Sequence, residues 1–247
     1  MAVDAPDSTF DAKQFEAIYP TGVERHYWNR CRNRVIARQL RGIGAQGPML
    51  EIGCGKGLVV ADLRRRGFDV SGVELAQVEV IPEAREHVRT AIDVFDLEPG
   101  LRATIRTILL LDVIEHLEHP DAFIARIRKA FPALEWMVYT VPARQELFSN
   151  YDRFNNHYRR YDLKSLRGHV DPDRSRVWKA SYFYHLLYPM AWLQLRISGE
   201  RELRYNVPAR GPASMLHALL GASFFAEYLL FPRSWPGTSI IAAVMER

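Results

Sequence analysis

The sequence predicts an α/β fold with a doubly wound, mostly parallel sheet, and three observations lead to it. Short apolar runs alternate with amphipathic segments over residues 24–142, the order expected of βαβ units. The run Thr107–Asp112 is apolar up to its closing acid, which is typical of a strand buried on both faces. Acids and glycines follow the ends of the predicted strands, where parallel sheets bind their ligands.

The elements predicted in this region alternate along the chain. The predicted strands are Pro48–Ile52, Phe68–Leu75, Thr90–Val94, Thr107–Asp112 and Glu135–Val141. The predicted helices are Glu24–Arg41, Leu58–Gly67, Val78–Val88 and one that begins at Pro120. Pro82 is placed to begin or kink the third helix, since proline lacks an amide donor. Two further strands are predicted at Ser175–Ser181 and Gly237–Met245.

Two apolar segments lie between the last two predicted strands. Ser181–Leu195 has no formally charged residue, and Met215–Phe231 has only Glu227. Both are expected to fall short of the roughly 20 residues of a membrane span, and Pro189 interrupts the first. Core helices or a lid over a bound apolar molecule are the favoured interpretations. In-plane contact with a membrane stays open, because arginines flank both segments as an anionic interface favours: Arg196, Arg201, Arg204, Arg210 and Arg233.

Composition excludes several classes of protein. The 247 residues are 48% hydrophobic and 25% charged, and the net charge of +4 comes from 33 Lys and Arg against 29 Asp and Glu. Such an excess is too small to indicate specific nucleic-acid binding. Two cysteines, Cys31 and Cys54, argue against a disulfide framework. With no secretory signal visible, we expect a cytoplasmic protein, with peripheral membrane contact left open.

A glycine-rich loop follows the first predicted strand. Gly53-Cys54-Gly55-Lys56-Gly57 comes two residues after Glu51, and the missing Cβ atoms allow close approach of a ligand or positive φ. The N-terminus of the following helix offers unpaired N–H groups to that ligand. A tight structural turn is the alternative, and dinucleotide-binding loops are similar but use a G-x-G-x-x-G spacing.

Acids after the next two strands complete a nucleoside site. Glu74, followed by Leu75, can accept hydrogen bonds from both ribose hydroxyls; a solvated acid is the alternative. Asp93 can accept from an adenine amino group while the Val94 N–H faces a ring nitrogen, although Asp96 competes for that role.

The segment after the fourth strand carries a family resemblance. Asp112-Val113-Ile114-Glu115-His116 is similar to the D/E-x-x-E-H segment of class I S-adenosylmethionine-dependent methyltransferases, in the branch of the ubiquinone-pathway O-methyltransferases and bacterial small-molecule or glycan methyltransferases. Tyr139–Ala143 and Asn155–Tyr161 continue the match, which covers residues 26–170.

The resemblance implies a Rossmann-like sheet of seven strands, the last antiparallel, with a helical insertion before it. It divides the chain into an N-terminal arm and lid (1–45), a core (46–181), the insertion (182–236) and a final strand (237–247). It implies S-adenosylmethionine as cofactor. The cofactor-binding positions are then Glu51, Gly53, Cys54, Gly55, Gly57, Glu74, Leu75, Asp93, Val94 and Asp112.

Two histidines are the candidates for chemistry. His116 and His157 are predicted to act as base or as orienter of the acceptor, because a histidine pKa near neutrality suits proton transfer. Loop capping for His116 and a surface position for His157 are the alternatives. Arg159 and Arg160 could clamp an anionic acceptor or form a solvated basic turn. Tyr27 and Trp28 could close over the site, with core packing favoured for Trp28.

A divalent metal is a less favoured possibility. In resembling families, the acids and histidine of this segment, with a later histidine, hold such an ion; the matching positions are Asp112, Glu115, His116 and His157. Mixed oxygen and nitrogen ligands suit Mg²⁺ or Mn²⁺.

We therefore predict methyl transfer to an oxygen or nitrogen nucleophile of a small-molecule, lipid-linked or saccharide acceptor. A non-catalytic S-adenosylmethionine-binding partner is the first alternative. An NAD-dependent oxidoreductase is the second, and the segment after the fourth strand disfavours it.

Overall fold

A seven-stranded sheet forms the centre of the computed structural model, which describes residues 12–171, 178–203 and 206–246. The strands are β1 (Met49–Ile52), β2 (Val70–Val73), β3 (Val88–Arg89), β4 (Thr107–Leu111), β5 (Trp136–Pro142), β6 (Trp178–Phe183) and β7 (Ser239–Met245). Their spatial order is β3-β2-β1-β4-β5-β7-β6. Among these strands, β7 alone runs opposite to the direction of the others, which confirms the predicted fold class.

Helices cover both faces of the sheet. They are α1 (Ala12–Ile18), α2 (Tyr27–Gly42), α3 (Leu58–Arg65), α4 (Pro99–Arg102), α5 (Pro120–Ala130), α6 (Asn150–Phe154), α7 (Leu163–Val170), α8 (Leu187–Ser198) and α9 (Pro212–Leu230). Because side chains alternate along a strand, Ile108 and Leu110 of β4 join the core under α5 and α7, while Leu109 and Leu111 join the core under α2 and α3. Every residue of β4 is buried, as its apolar run predicts.

Strand order reverses between β1 and β4. The chain builds β1, β2 and β3 outward in one direction, then returns to place β4 on the other side of β1. Ligands of open α/β sheets bind at this reversal, outside the carboxyl ends of the strands. Gly53 follows β1 and Asp112 follows β4, so both stand at that position.

Two predicted elements between β2 and β4 are wrong. The segment Val78–Val88 forms only a short 3₁₀ turn at Pro82–Ala84, and β3 begins at Val88; the missing amide of Pro82 prevents a helix from continuing through it from Val78. The third strand is Val88–Arg89 rather than Thr90–Val94. The region after it includes a second 3₁₀ turn, Val94–Asp96, for which the Asp93 side chain is the N-cap.

The apolar segments of the insertion form α8 and α9. Pro189 lies in the first turn of α8 and does not interrupt it, since a proline there removes no helical hydrogen bond. The helix α9 has 19 residues and is long and apolar enough to cross a membrane by length and composition alone, contrary to the prediction that it falls short. The sixth strand begins at Trp178; the predicted start, residues 175–177, and Arg204 lie outside the described residues.

Candidate cofactor and acceptor site

The glycine loop joins β1 to α3 with three residues in the left-handed region. Gly53, Gly55 and Gly57 have φ of 72°, 54° and 83°, conformations that side chains disfavour. Gly57 is the N-cap of α3, so the first N–H groups of that helix point toward the loop. The loop therefore has the backbone form that the glycine spacing predicts. The side chain of Cys54 is buried beneath it.

Glu51 is a buried acid, and one of its carboxylate oxygens is unpaired within the described part of the chain. Its side chain lies in β1, 3% exposed, and its Oε2 has no hydrogen-bond partner among the described residues. Burial raises the pKa of Glu51 to about 8; the charges of Glu74 and Asp112 add to this effect, and Arg32 opposes it. A ligand cation placed here would restore the ionised carboxylate.

Glu74 ties the loop to the end of β2. Its Oε2 accepts the Gly55 N–H at 2.8 Å, and its Oε1 accepts the Ala76 N–H at 3.0 Å. An ionised carboxylate has about four acceptor sites, so two remain for hydroxyl donors. Leu75, directly after it, is exposed.

A side cavity opens beside Glu74, and Asp93 lies in its wall. It encloses about 920 Å³, part of it open to solvent, and is lined by Leu75, Asp93, Val94 and Phe95 together with Val113 after β4. The Asp93 side chain already accepts the Phe95 N–H at 2.9 Å. The buried side chain of Val94 belongs to the core, and its backbone borders the cavity.

Asp112 is held in an uncommon conformation at the end of β4. Its φ is +59°, which costs a non-glycine residue about 1 kcal/mol or more. Arg32 of α2 binds its Oδ2 at 2.5 Å, and the Thr140 hydroxyl donates to its Oδ1 at 3.1 Å. Asp112 is paired with Arg32 and is not among the described residues whose ligand atoms converge, Glu115, His116 and His157, so it does not fit the metal-ligand position that the resemblance implies.

The main cavity joins the glycine loop to both candidate histidines. It encloses about 1010 Å³, again partly open to solvent, and its lining includes Glu51, Gly55, Glu74, His116 and His157. It shares Gly53, Glu74, Asp112 and His116 with the side cavity. One elongated ligand could therefore extend through both.

The two histidines meet in this cavity. Their ring centroids are 4.6 Å apart. Glu115 lies with them: each of the three residues offers one potential ligand atom, and these atoms lie within 4.8 Å of one another. Burial, followed by the nearby His157, lowers the pKa of His116 to about 3. His116 is therefore neutral near pH 7 and too weak a base to take a proton in that range.

His157 is oriented by a buried acid. Its Nδ1 lies 2.9 Å from Asp152 Oδ1, which also accepts from Arg160 Nε at 2.8 Å, and Ser149 N–H donates to Oδ2 at 2.9 Å. Although burial opposes ionisation, the hydrogen bond from His157 and the charge of Arg160 lower the pKa of Asp152 to about 2. An ionised Asp152 fixes the proton on Nδ1 and leaves the Nε2 lone pair to accept another.

For Arg160, neither the predicted acceptor clamp nor the solvated basic turn fits this network. Arg160 is 6% exposed and binds Asp152 and the Ala143 carbonyl, so it is a buried positioning residue. Arg159 donates to the Glu118 carbonyl at 2.8 Å and lies over Tyr158. Neither residue lines the main cavity.

The N-terminal segment covers the loop. A Cβ on Gly55 would clash with the Tyr19 hydroxyl, and Tyr19 packs on Phe15 of α1 with ring centroids 5.9 Å apart. Trp28 of α2 also lines the main cavity and stacks on Tyr184; Tyr27 packs against Phe224 of α9. Both interpretations of Trp28, core packing and contact with the site, therefore apply.

Sequence reasoning missed three residues of the site: Arg32, Tyr19 and Asp152. Arg32 is one of several arginines in α2, and nothing in their spacing distinguishes it. Tyr19 lies before the first predicted element. Asp152 stands five residues before His157, and that local spacing of acid and histidine is a signal that could have found it.

Comparison with known proteins gives a family. A family model described as a methyltransferase domain matches residues 24–172, more than half of the chain. No curated protein matches.

Solved structures share the fold at low identity. A plantazolicin methyltransferase, in complex with a desmethylPZN analog and SAH, superposes with a TM-score of 0.54 at 14% identity, covering 95% of this chain and 90% of its own. Magnesium protoporphyrin IX methyltransferase from Synechocystis PCC 6803, with bound SAH, gives 0.52 at 12% identity over 98% and 90%. Phosphoethanolamine N-methyltransferase 2 of Haemonchus contortus, with S-adenosyl-L-methionine, gives 0.53 at 17% identity over 95% and 56%.

At these identities the superpositions show the fold alone, and the family match gives the enzyme class. The match spans the glycine loop, Glu74, Asp112 and both histidines. The chain therefore belongs to the methyltransferase domain family, and it is a class I S-adenosylmethionine-dependent methyltransferase.

Proposed function

We propose that this enzyme methylates an oxygen or nitrogen nucleophile of a small-molecule, lipid-linked or saccharide acceptor, which binds beside His116 and His157. The observation that carries the proposal is the oriented pair Asp152–His157 in the cavity that also holds the glycine loop. Such a pair is suited to a nucleophile that must lose a proton. Hydroxyls and protonated amines have that requirement, and thioethers do not.

The cofactor would extend through both cavities. Glu74 would accept from the ribose hydroxyls, and Asp93 with the Val94 backbone would face the adenine in the side cavity. The amino-acid end would lie in the main cavity, where Glu51 is short of a partner. When bound, S-adenosylmethionine supplies an electrophilic methyl group on a sulfonium.

The two histidines then have different tasks. His157 accepts the proton of the acceptor nucleophile at Nε2, because Asp152 holds its Nδ1 as a donor. His116, neutral and 4.6 Å away between ring centroids, orients the acceptor through a hydrogen bond. Acceptor alignment is a large part of catalysis in a displacement reaction.

The experiment combines acceptor discovery with a histidine pair of variants. S-adenosylmethionine labelled in its methyl group is incubated with the enzyme and with separated lipid, small-molecule and saccharide fractions, and the labelled product is identified by mass spectrometry. On that acceptor, His157→Ala should lower kcat by about 100-fold or more while the affinity for S-adenosylhomocysteine stays unchanged. His119→Ala is the matched control, since His119 is exposed and its side chain makes no capping hydrogen bond. Wild-type turnover by His157→Ala would refute the role of His157 as base.

A divalent ion is the second candidate for this part of the cavity. Glu115, His116 and His157 converge, and neither carboxylate oxygen of buried Glu115 has a hydrogen-bond partner on another of the described residues. Asp152 behind His157 resembles the carboxylate–histidine pairs that support metal ligands. Three residues thus fit an ion that would polarise an acceptor hydroxyl, and Asp112 does not.

Chelation separates the two candidates. If the ion is required, EDTA abolishes turnover, added Mg²⁺ or Mn²⁺ restores it, and Glu115→Gln remains inactive in either metal. If turnover survives exhaustive chelation, His157 acts as base without a metal.

A further inference from the structure

The outer side of α8 carries an apolar stripe that the rest of the described chain leaves exposed. Leu186, just before the helix, and Met190, Leu193 and Ile197 within it are all exposed, Ile197 by 78%. They recur at intervals of four, three and four residues, so they lie on one side of the helix. Helices of soluble proteins normally turn such a stripe toward the core.

The exposed side of α9 is apolar except for Ser223 near its middle. Met215, Leu216, Leu219, Leu229 and Leu230 are exposed, Leu230 by 79%. The only formally charged residue between Pro212 and Leu230 is Glu227, and it is 4% exposed. A solvated helix of 19 residues ordinarily presents charges to water, and apolar patches of this kind mark interaction surfaces.

One side of α9 is fixed to the fold, which argues against a membrane-spanning position. Gly221 packs so closely on α2 that a Cβ there would lie 3.1 Å from the Tyr27 carbonyl oxygen. Buried Glu227 accepts the backbone N–H groups of His185 and Leu186 at the start of α8. A helix attached in this way can present only its outer side to lipid.

Cations and tryptophans border the two apolar sides. Arg196 lies in the last turn of α8, 5.1 Å from the centre of the exposed Trp192 ring, while Arg210 and Arg233 stand exposed just before and just after α9. Exposed Trp235 follows Arg233. Glu200 and Glu202 lie in the connection between the helices. Apolar side chains flanked by Trp and Arg match the layers of an anionic bilayer surface.

We propose that the outer sides of α8 and α9, defined by Leu186, Met190, Leu193 and Ile197 and by Met215, Leu216, Leu219, Leu229 and Leu230, dock in the plane of an anionic phospholipid bilayer. The aliphatic side chains enter the acyl region at the headgroup boundary. Arg196, Arg210 and Arg233 contact lipid phosphates.

The helices that carry this surface lie next to elements that line the main cavity. Trp28 and Asn29 line that cavity from α2, the helix on which α9 packs. Arg201, just after α8, lies over Tyr151, which also lines the cavity. Docking would therefore bring the main cavity near the bilayer that carries a lipid-linked acceptor; this consequence rests on the proposed function, whereas the docking itself does not.

The test is co-sedimentation of the full chain with vesicles of phosphatidylcholine alone or of phosphatidylcholine with phosphatidylglycerol. We expect binding to the anionic vesicles that weakens between about 0.1 M and about 1 M salt, because surface charge is screened. The variant Ile197→Glu with Leu230→Glu should reduce vesicle partitioning by about tenfold or more. The control Ala103→Glu with Ala125→Glu adds the same charge at exposed positions outside the docking surface and should bind as the wild type does.

The outcomes are distinct. The proposal is overturned if the wild-type protein binds neither vesicle type. It is also overturned if the two double variants partition equally onto anionic vesicles. If the wild type instead forms a dimer in sedimentation velocity, and Ile197→Glu with Leu230→Glu dissociates it, the surface pairs with a second copy and the bilayer is the wrong occupant. Affinity for S-adenosylhomocysteine, measured on every variant, shows that the fold is intact and reports on the proposed function separately.

Discussion

Cofactor binding should expel a proton from Glu51. In the ligand-free enzyme, burial raises the pKa of this carboxyl group to about 8, so the protonated form dominates at pH 7. S-adenosylmethionine carries a sulfonium and an ammonium, and a cation beside Glu51 favours the ionised carboxylate. Binding therefore lowers the pKa of Glu51, and the proton leaves for the buffer.

The size of the effect follows from that pKa. A group with a pKa of about 8 is about 90% protonated at pH 7, and a bound pKa near the ordinary value of about 4.5 leaves it almost fully ionised. About 0.9 proton should be released for each cofactor bound at pH 7. Because the ligand prefers the deprotonated form, its affinity should rise by up to about tenfold per pH unit from pH 6 to about 8 and level off above that pH.

Two ionisable groups of the site should add nothing to this signal. The pKa of His116 is about 3 and that of Asp152 about 2, so neither changes its charge near pH 7. Burial also raises the pKa of Glu115, which lines the same cavity, so the share of Glu51 in the proton release is obtained by comparing the wild type with Glu51→Gln.

The assay is titration calorimetry at pH 7 in buffers of different ionisation enthalpy. The slope of the observed enthalpy against buffer enthalpy gives the number of protons released. Glu51→Gln should abolish the slope and the pH dependence, whereas Glu83→Gln, at an exposed site, should keep both. S-adenosylhomocysteine retains the ammonium without the sulfonium, so equal release with both ligands places the ammonium beside Glu51. A wild-type slope near zero, or an unchanged slope in Glu51→Gln, would refute the reasoning.

Three further predictions concern the surroundings of the cofactor. Gly55→Ala should weaken binding of S-adenosylhomocysteine by about tenfold in calorimetry, because it forces a side chain to positive φ against Tyr19; unchanged affinity would contradict this. Tyr19→Ala should speed the release of that ligand by about tenfold in stopped-flow measurements if the N-terminal segment is a lid, and an unchanged rate would argue against one. Arg32→Ala should lower the free energy of unfolding by about 3 kcal/mol and, since Arg32 lowers the pKa of Glu51, move the rise in affinity to higher pH. Exposed Arg38→Ala should change unfolding by less than about 0.5 kcal/mol, and a similar loss in both variants would contradict the buried role of Arg32.

The sheet could be predicted where its strands are long and buried. The strands β4, β5 and β7 are continuous apolar runs, and such runs bounded by turns are readable in sequence. The strand β3 has two residues and pairs only with β2. It is too short to show a periodic pattern in the sequence. The sequence therefore predicts the third strand in the apolar residues that follow it. Among those, Val94 is buried without being part of a strand.

The candidate site could be predicted where a short segment defines it. The position of the glycine loop follows from its local backbone conformation, and the position of Glu74 follows from the end of a strand. Both features are visible in the sequence. Arg32 and Tyr19 reach the site from elements that pack across the strand ends. Their contribution depends on the path of the N-terminal chain over the sheet, which no local pattern encodes. The exposure of α8 and α9 could not be predicted either, because an apolar helix has the same composition in a core and on a surface.

A crystal structure with S-adenosylhomocysteine would show the position of the cofactor most directly. We predict adenine in the side cavity near Asp93, the ribose hydroxyls within hydrogen-bond distance of Glu74, the ammonium beside Glu51, and the sulfur facing His157. Adenine in the main cavity, or no ligand in either cavity at saturating concentration, would contradict this prediction.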